Sequence, residues 1–237
     1  MYKRQVDTNS MIKDTNRPTT VKIRVIAHNQ QVIRTDHENT DNIQEDKLEE
    51  IGNILDNVLA KTDGIIIEDY NKGLLTPESI MLILAKAAAR DIPVYVDPKK
   101  ENFFSYQGVR LFKPNMTEFK SALSRENDYI DFENSGIELR KKLGTEILMV
   151  TRGELGISLF SDQGMHTIET KARKVHDVSG AGDTAISAFV LADLAGATIE
   201  EAAQISNYAA GRVCEEVGVV PITLEMLDEI VEHYNDH

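Results

Sequence analysis

The stretch Asp177-Val178-Ser179-Gly180-Ala181-Gly182-Asp183 decides how this chain is read, because its glycine-rich turn runs straight into a helical pattern from Thr184 to Ala195. The first N–H groups of a helix lack intrahelical acceptors and sit at the positive end of its dipole. Gly180, Ala181 and Gly182 carry little or no side chain, so an anion can approach those amides closely. Asp183 then stands at the mouth of an anion hole, where a carboxylate can take the proton of a hydroxyl that attacks a phosphoryl group. The same residues also read as an ordinary glycine turn with an acidic helix start, since short glycine patterns recur without function.

A second pattern lies upstream. Lys113-Pro114-Asn115-Met116-Thr117-Glu118 follows the apolar run Val109 to Phe112, so Asn115 and Glu118 fall one helical turn apart just beyond a predicted strand. An amide and a carboxylate so placed are oxygen donors of the kind that hold Mg²⁺ against nucleotide phosphates. They are equally a capping box, with Asn115 as cap and Glu118 as its partner.

Together the two patterns resemble the ribokinase-like (PfkB) family of sugar kinases. Its Gly-Ala-Gly-Asp signature matches Gly180 to Asp183, followed by Thr184-Ala185-Ile186-Ser187-Ala188-Phe189, and its Asn-x-x-Glu motif matches Asn115 to Glu118. The resemblance implies a three-layer α/β/α sandwich with a mostly parallel sheet and a small β lid. It implies ATP and Mg²⁺ as cofactors, Asp183 as catalytic base, Gly180 to Gly182 as anion hole, and Asn115 with Glu118 organising the metal. It further implies nucleotide contacts at Thr151 and Gly153 and at Asn207, Ala210 and Gly211, where a hairpin turn and close helix packing are the plain alternatives. Asp177 and Ser179 are left open as ligands of a monovalent cation such as K⁺.

Within the family, four stretches are similar to the kinases that phosphorylate D-glycero-D-manno-heptose 7-phosphate at its anomeric hydroxyl. These are Arg17 to Val25, Asn29 to Asp36, Glu68-Asp69-Tyr70-Asn71-Lys72-Gly73, and Val96-Asp97-Pro98-Lys99. The expected function is therefore that phosphorylation, in ADP-heptose and lipopolysaccharide-core synthesis, with another sugar kinase of the family or a noncatalytic nucleotide-binding fragment as alternatives. An early strand ending in Gly-Asp and a Gly-Gly-x-x-Asn segment, both usual in the family, are not found, and Met1 to Gln5 resembles nothing in it. The expectation is an N-terminally truncated kinase: residues 1–16 a lead-in, 17–40 part of the β lid, 41–237 the nucleotide-binding core. The lid pairs protomers in relatives, which implies a homodimer.

The rhythm of the chain fits a parallel α/β fold. Predicted helices at Asp46 to Ala60, Thr76 to Arg90 and Ser135 to Leu143 alternate with strands at Gly64 to Glu68, Val94 to Asp97 and Glu146 to Val150. Such sheets bind ligands at strand carboxyl ends, where Asp69 and Asp97 follow apolar runs; each is a cleft residue or the cap of the next helix. Lys72 and Lys99 can bring positive charge from the same loops. In the lid, strands at Val21 to Ala27 and Gln31 to Asp36 place Lys22 and Arg24 on one face and Val21, Ile23 and Val25 on the other. The two cations either meet a sugar phosphate or are solvated.

Composition narrows the classes. The 237 residues are 41% hydrophobic, enough for a real core, and the net charge of −13 opposes binding to nucleic acid or anionic membrane. A phosphorylated ligand must then rely on local cations and helix N-termini. The lone Cys214 excludes an internal disulfide and a cysteine zinc site, and the six histidines show no ligand spacing. No secretory or long apolar segment is found, which predicts a cytoplasmic protein. A dinucleotide oxidoreductase is disfavoured, because no Gly-x-Gly-x-x-Gly follows an early strand.

Overall fold

The computed structural model describes residues 7–27, 30–123, 131–170 and 175–235. Residues 1–6 of the expected lead-in, and His28 and Asn29 of the expected lid, lie outside that set. The chain opens into an antiparallel pair, β1 (Val21–Ala27) and β2 (Gln30–His37), with Lys22 opposite Asp36 and Arg24 opposite Arg34. Alternation sets Val21, Ile23 and Val25 on one exposed face of this pair.

The remaining elements alternate as expected. They are α1 (Glu45–Val58), β3 (Ile65–Glu68), α2 (Pro77–Ala88), β4 (Val94–Asp97), β5 (Leu111–Phe112), α3 (Met116–Ala122), α4 (Phe132–Leu143), β6 (Ile147–Thr151), β7 (Ile157–Ser161), β8 (Gly164–Ile168), α5 (Ala181–Leu194), α6 (Ile199–Cys214) and α7 (Leu224–Asn235). Local chemistry sets several boundaries. Thr76 and Ser79 form a capping box before Pro77 at the start of α2, and α4 begins on the Asp131 side chain and ends on Gly144 in the left-handed region.

One six-stranded sheet runs in the order β3-β4-β5-β6-β7-β8; the first four strands are parallel and the last two antiparallel. This is the expected sandwich. The strand β8 is absent from the sequence expectation, because Gly164–Ile168 mixes polar and apolar residues; it forms by hairpin pairing with β7.

Strand alternation divides the core into two layers. Ile67, Val94, Val96, Phe112, Leu148 and Val150 join α2, α3 and α4 on one face. Tyr95, Leu111, Ile147 and Met149 meet Ile186, Phe189 and Val190 of α5 and Ala202 and Ala203 of α6 on the other. The sheet thus has helices on both sides, the arrangement that makes its strands read as continuous apolar runs. Among the described residues no helix is long and apolar enough to cross a membrane.

Candidate functional site

The glycine turn lies over the carboxyl ends of β3, β4 and β5. Gly180 caps α5 at φ 83°, a left-handed conformation that a β-carbon disfavours, and Ala181, Gly182 and Asp183 form the first turn. The expected anion hole is narrower than the sequence suggests. Ala181 donates its N–H to the Val178 carbonyl at 3.2 Å, so that amide is already committed to closing the turn. Among the described residues the Gly182 and Asp183 amides have no backbone acceptor, which leaves these two pointing donors from the helix start.

Three carboxylates converge beside them. Oxygens of Glu68, Asp97 and Asp183 lie within 4.8 Å of one another. Two of them come from sheet register, since Glu68 at the end of β3 is the direct partner of Asp97 at the end of β4. Adjacent partners in a parallel pair project to the same face, here the face that meets α5. Burial comes first in pushing the Glu68 carboxyl up to about 7, followed by the charges of Asp97 and Asp183. Burial also raises Asp97, against the pull of Lys113.

Lys113, only 2% exposed, donates from Nζ to Asp97 Oδ2 at 2.7 Å. Its ammonium lies 3.6 Å from where a β-carbon on Gly182 would sit, so a fixed positive charge adjoins the two free amides. In a chain of net charge −13 this cation, already paired with Asp97, offsets part of the carboxylate charge around the two amides. Tyr70, on the loop after β3, donates its hydroxyl to Asp183 Oδ2 at 3.2 Å; burial first, then Asp183 and Glu68, push that hydroxyl up to about 12.

On the other side of the glycine turn is a cavity of about 580 Å³. Thr151, Gly153, Ala181, Gly182, Asn207, Ala210 and Gly211 all line it, together with Gly156, Val175, Val178 and Cys214. Residues far apart in sequence therefore meet at one concavity of the size small ligands occupy. Asn207 is 5% exposed and donates to the Glu169 carbonyl at 2.9 Å, which fixes its side chain in the wall.

Several expected site residues have other employment. Asn115 and Glu118 form the capping box of α3: Asn115 Oδ1 accepts the Glu118 N–H and Glu118 Oε2 accepts the Asn115 N–H, both at 2.9 Å. Glu118 Oε1 accepts Lys99 Nζ at 2.6 Å, so the pair is locked, and the convergent oxygen set is Glu68, Asp97 and Asp183. Strand parity turns Asp69 to the other face from Glu68. Asp69 points away from the cleft, 3% exposed, accepting the Asn71 N–H at 2.7 Å, the Tyr106 hydroxyl at 2.8 Å and Asn102 Nδ2 at 3.3 Å.

Lys72 pairs with Glu38 at the root of the lid rather than reaching the carboxylates. Lys22 and Arg24 stay exposed on β1; the field of Arg24 reaches Asp177 and that of Lys22 reaches Asp36. Asp177 and Ser179 come together as a turn, with Asp177 Oδ1 accepting the Ser179 N–H at 2.9 Å and the backbone donors of Ser179 and Gly218 holding its carboxyl below the usual range. Sequence reasoning passed over Glu68, Lys113 and Tyr70. Their signal was position alone, at or just past strand ends in the sheet that carries Asp97.

Comparison with known proteins fits this arrangement. A family profile described as pfkB family carbohydrate kinase matches residues 1–225, and so includes the stretch read as a lead-in. The bifunctional protein HldE of a Nitratiruptor species is 39% identical over 216 residues, 90% of this chain and 46% of that protein. That of a Marinomonas species is 36% identical over 218 residues, covering 90% and 45%. The chain spans about half the length of the curated relatives it matches. Among solved structures, Escherichia coli phosphofructokinase-2 in complex with potassium superposes with a TM-score of 0.72 at 18% identity, over 82% of this chain and 64% of that one. Arabidopsis thaliana ribokinase complexed with ribose and ATP gives a TM-score of 0.64 at 19% identity, over 90% and 70%. With a family match that runs through nearly the whole sequence and a ribokinase-like sandwich beneath it, the chain belongs to the pfkB family of carbohydrate kinases.

Proposed function

We propose that this chain transfers the γ-phosphoryl group of ATP to the anomeric hydroxyl of a seven-carbon sugar 7-phosphate, as the kinase portion of an ADP-heptose pathway. The observation that carries the reading is the position of Asp183, which carries one of the free amides, joins the carboxylate–lysine cluster and directly follows Ala181 and Gly182 in the wall of the cavity. The cavity receives the nucleotide, with Thr151, Gly153, Asn207 and Gly211 in its wall. The Gly182 and Asp183 amides and the Lys113 ammonium grip the migrating phosphoryl. Asp183 takes the proton of the sugar hydroxyl as its oxygen bonds to phosphorus; the bond from phosphorus to the bridging oxygen breaks, and ADP leaves.

A hard divalent cation suits the Glu68 and Asp97 carboxylates, which converge beside Asp183, and Mg²⁺ held by those two or through nearby water would offset phosphate charge while Asp183 is left to take the proton. Glu118 reaches such a metal in this reading only through water, since its carboxylate is taken by the cap and by Lys99. Lys22 and Arg24 on the lid face the sugar's distal phosphate in this reading, and the similarity to the HldE proteins supports a heptose phosphate over a simple sugar. The lid serves as the surface for pairing protomers. A potassium role for the Asp177–Ser179 turn draws support from the potassium complex of phosphofructokinase-2.

The test is calorimetry with ATP and Mg²⁺, followed by a coupled ADP-release assay over a panel of heptose, hexose and pentose phosphates. Turnover greatest with the heptose 7-phosphate is expected. Preference for another sugar would move the assignment within the family, and ATP binding without turnover on any acceptor would overturn the catalytic reading.

A further inference from the structure

We infer that Tyr70 is a positioning residue for Asp183, held in place by a loop that the root of the lid clamps from the far side. The inference rests on the kinase reading above and goes beyond it in naming which oxygen of Asp183 is tied and which is left to react.

The loop from Asp69 to Gly73 is anchored at both ends. On the core side, the buried Asp69 carboxylate takes the Asn71 N–H, the Tyr106 hydroxyl and Asn102 Nδ2. On the lid side, Arg17 Nη2 donates to the Lys72 carbonyl at 2.6 Å and to the Asn39 carbonyl at 3.2 Å, Lys72 pairs with Glu38, and the Ile43 N–H donates to the Gly73 carbonyl at 2.9 Å. The backbone between these anchors is unusual. Asn71 has φ 50° and Gly73 has φ 76°, and a β-carbon on Gly73 would lie 1.8 Å from the Asp41 carbonyl oxygen, so the lid root and this loop touch without room for a side chain.

Conformations of that kind persist only where the surroundings over-determine them. What the loop presents between its anchors is Tyr70, half exposed, with its hydroxyl on Asp183 Oδ2. One carboxylate oxygen is thereby fixed, and Oδ1 is the oxygen that receives the substrate proton. The lid thus holds the base in register through four residues of backbone and one phenol.

The test is steady-state kinetics on the full chain with Tyr70→Phe, Asp183→Asn and the double variant. A long, half-exposed hydrogen bond to a charged acceptor is lost, so kcat should fall about three- to tenfold, with KM for ATP and sugar phosphate little changed. In the Asp183→Asn background the same change should cost nothing further, because Tyr70 acts through that carboxylate. Arg17→Met, which frees the lid side of the loop, should lower kcat in the wild-type background and have no added effect beside Tyr70→Phe. An active wild type whose kcat survives Tyr70→Phe overturns the inference, as does a rise confined to the sugar KM, which would make Tyr70 a substrate contact. A crystal structure of Tyr70→Phe decides independently of turnover: the Asp183 carboxylate should leave its present position, and an unmoved carboxylate refutes the role. Absence of turnover in the wild type counts against the kinase reading instead.

Discussion

Replacing Glu68 by Gln removes the most perturbed carboxyl in the site and turns the geometry of the cluster into a measurable pH dependence. The Glu68 carboxyl is pushed up from the ordinary 4.5 to about 7 by burial and by Asp97 and Asp183. Because the folded value lies above the unfolded one, the native state holds this proton more tightly. That contribution is fully present below about pH 4.5 and is lost as the pH rises through about 7. Taken in full, the rise amounts to about 3 kcal/mol at 1.36 kcal/mol per tenfold; a carboxyl at the edge of an open cleft is screened, which reduces it to about 1–2 kcal/mol. Glu68→Gln should therefore melt about 3–6 °C above wild type at pH 8, for a domain of this size. At pH 5 the gap should shrink to about 1–2 °C, because folded Glu68 is then neutral and only the unfolded side chain is ionised. Thermal unfolding followed by circular dichroism at pH 5, 6, 7 and 8 checks this. A difference between the two proteins that stays constant across that range would refute the carboxylate crowding.

Two further predictions follow from packing. Gly182→Ala places its β-carbon 3.6 Å from Lys113 Nζ and 3.7 Å from Asp97 Oδ2, an ordinary contact, so the fold accepts it. Its melting temperature should stay level or rise by about 1–3 °C. Turnover should nonetheless fall about a hundredfold, since the methyl keeps a phosphoryl oxygen from the free amides; a melt and an ADP-release assay on one preparation check both. Asp193→Ala removes the acceptor of the Tyr95 hydroxyl at 2.6 Å and of Arg110 Nη2 at 2.7 Å, at the opposite end of the sheet. Urea titration should show a loss of about 2–4 kcal/mol, because a buried phenol is left without a partner.

The order of elements was legible because Ile65-Ile66-Ile67 and Val94-Tyr95-Val96 are short continuous apolar runs; Val94-Tyr95-Val96 is buried on both faces as such a run suggests, whereas β3 lies at the sheet edge and leaves Ile66 40% exposed. The same uniformity hid the parity. With no polar alternation inside the run, nothing in Glu68-Asp69 says which acid faces α5, and the pairing of Glu68 with Asp97 decides it. Lys113 was visible as a residue but not as a site, since burial of an ammonium depends on Asp97 arriving from a neighbouring strand. The committed amide of Ala181 was hidden for a related reason: whether it stays free depends on how Val178 folds back, which a Gly-x-Gly pattern does not state. Thr151, Gly153, Asn207 and Gly211 entered the reading through resemblance, and their meeting at one cavity comes from α6 packing against the same face of the sheet as α5.

Asp183 acting as a base beside amides that hold the transferred group is tested most directly by Asp183→Asn. Calorimetry should show ATP bound as in wild type, while turnover falls by about two to four orders of magnitude, the usual worth of a positioned base. An Asp183→Asn protein that binds ATP and still phosphorylates its sugar at the wild-type rate would contradict the account.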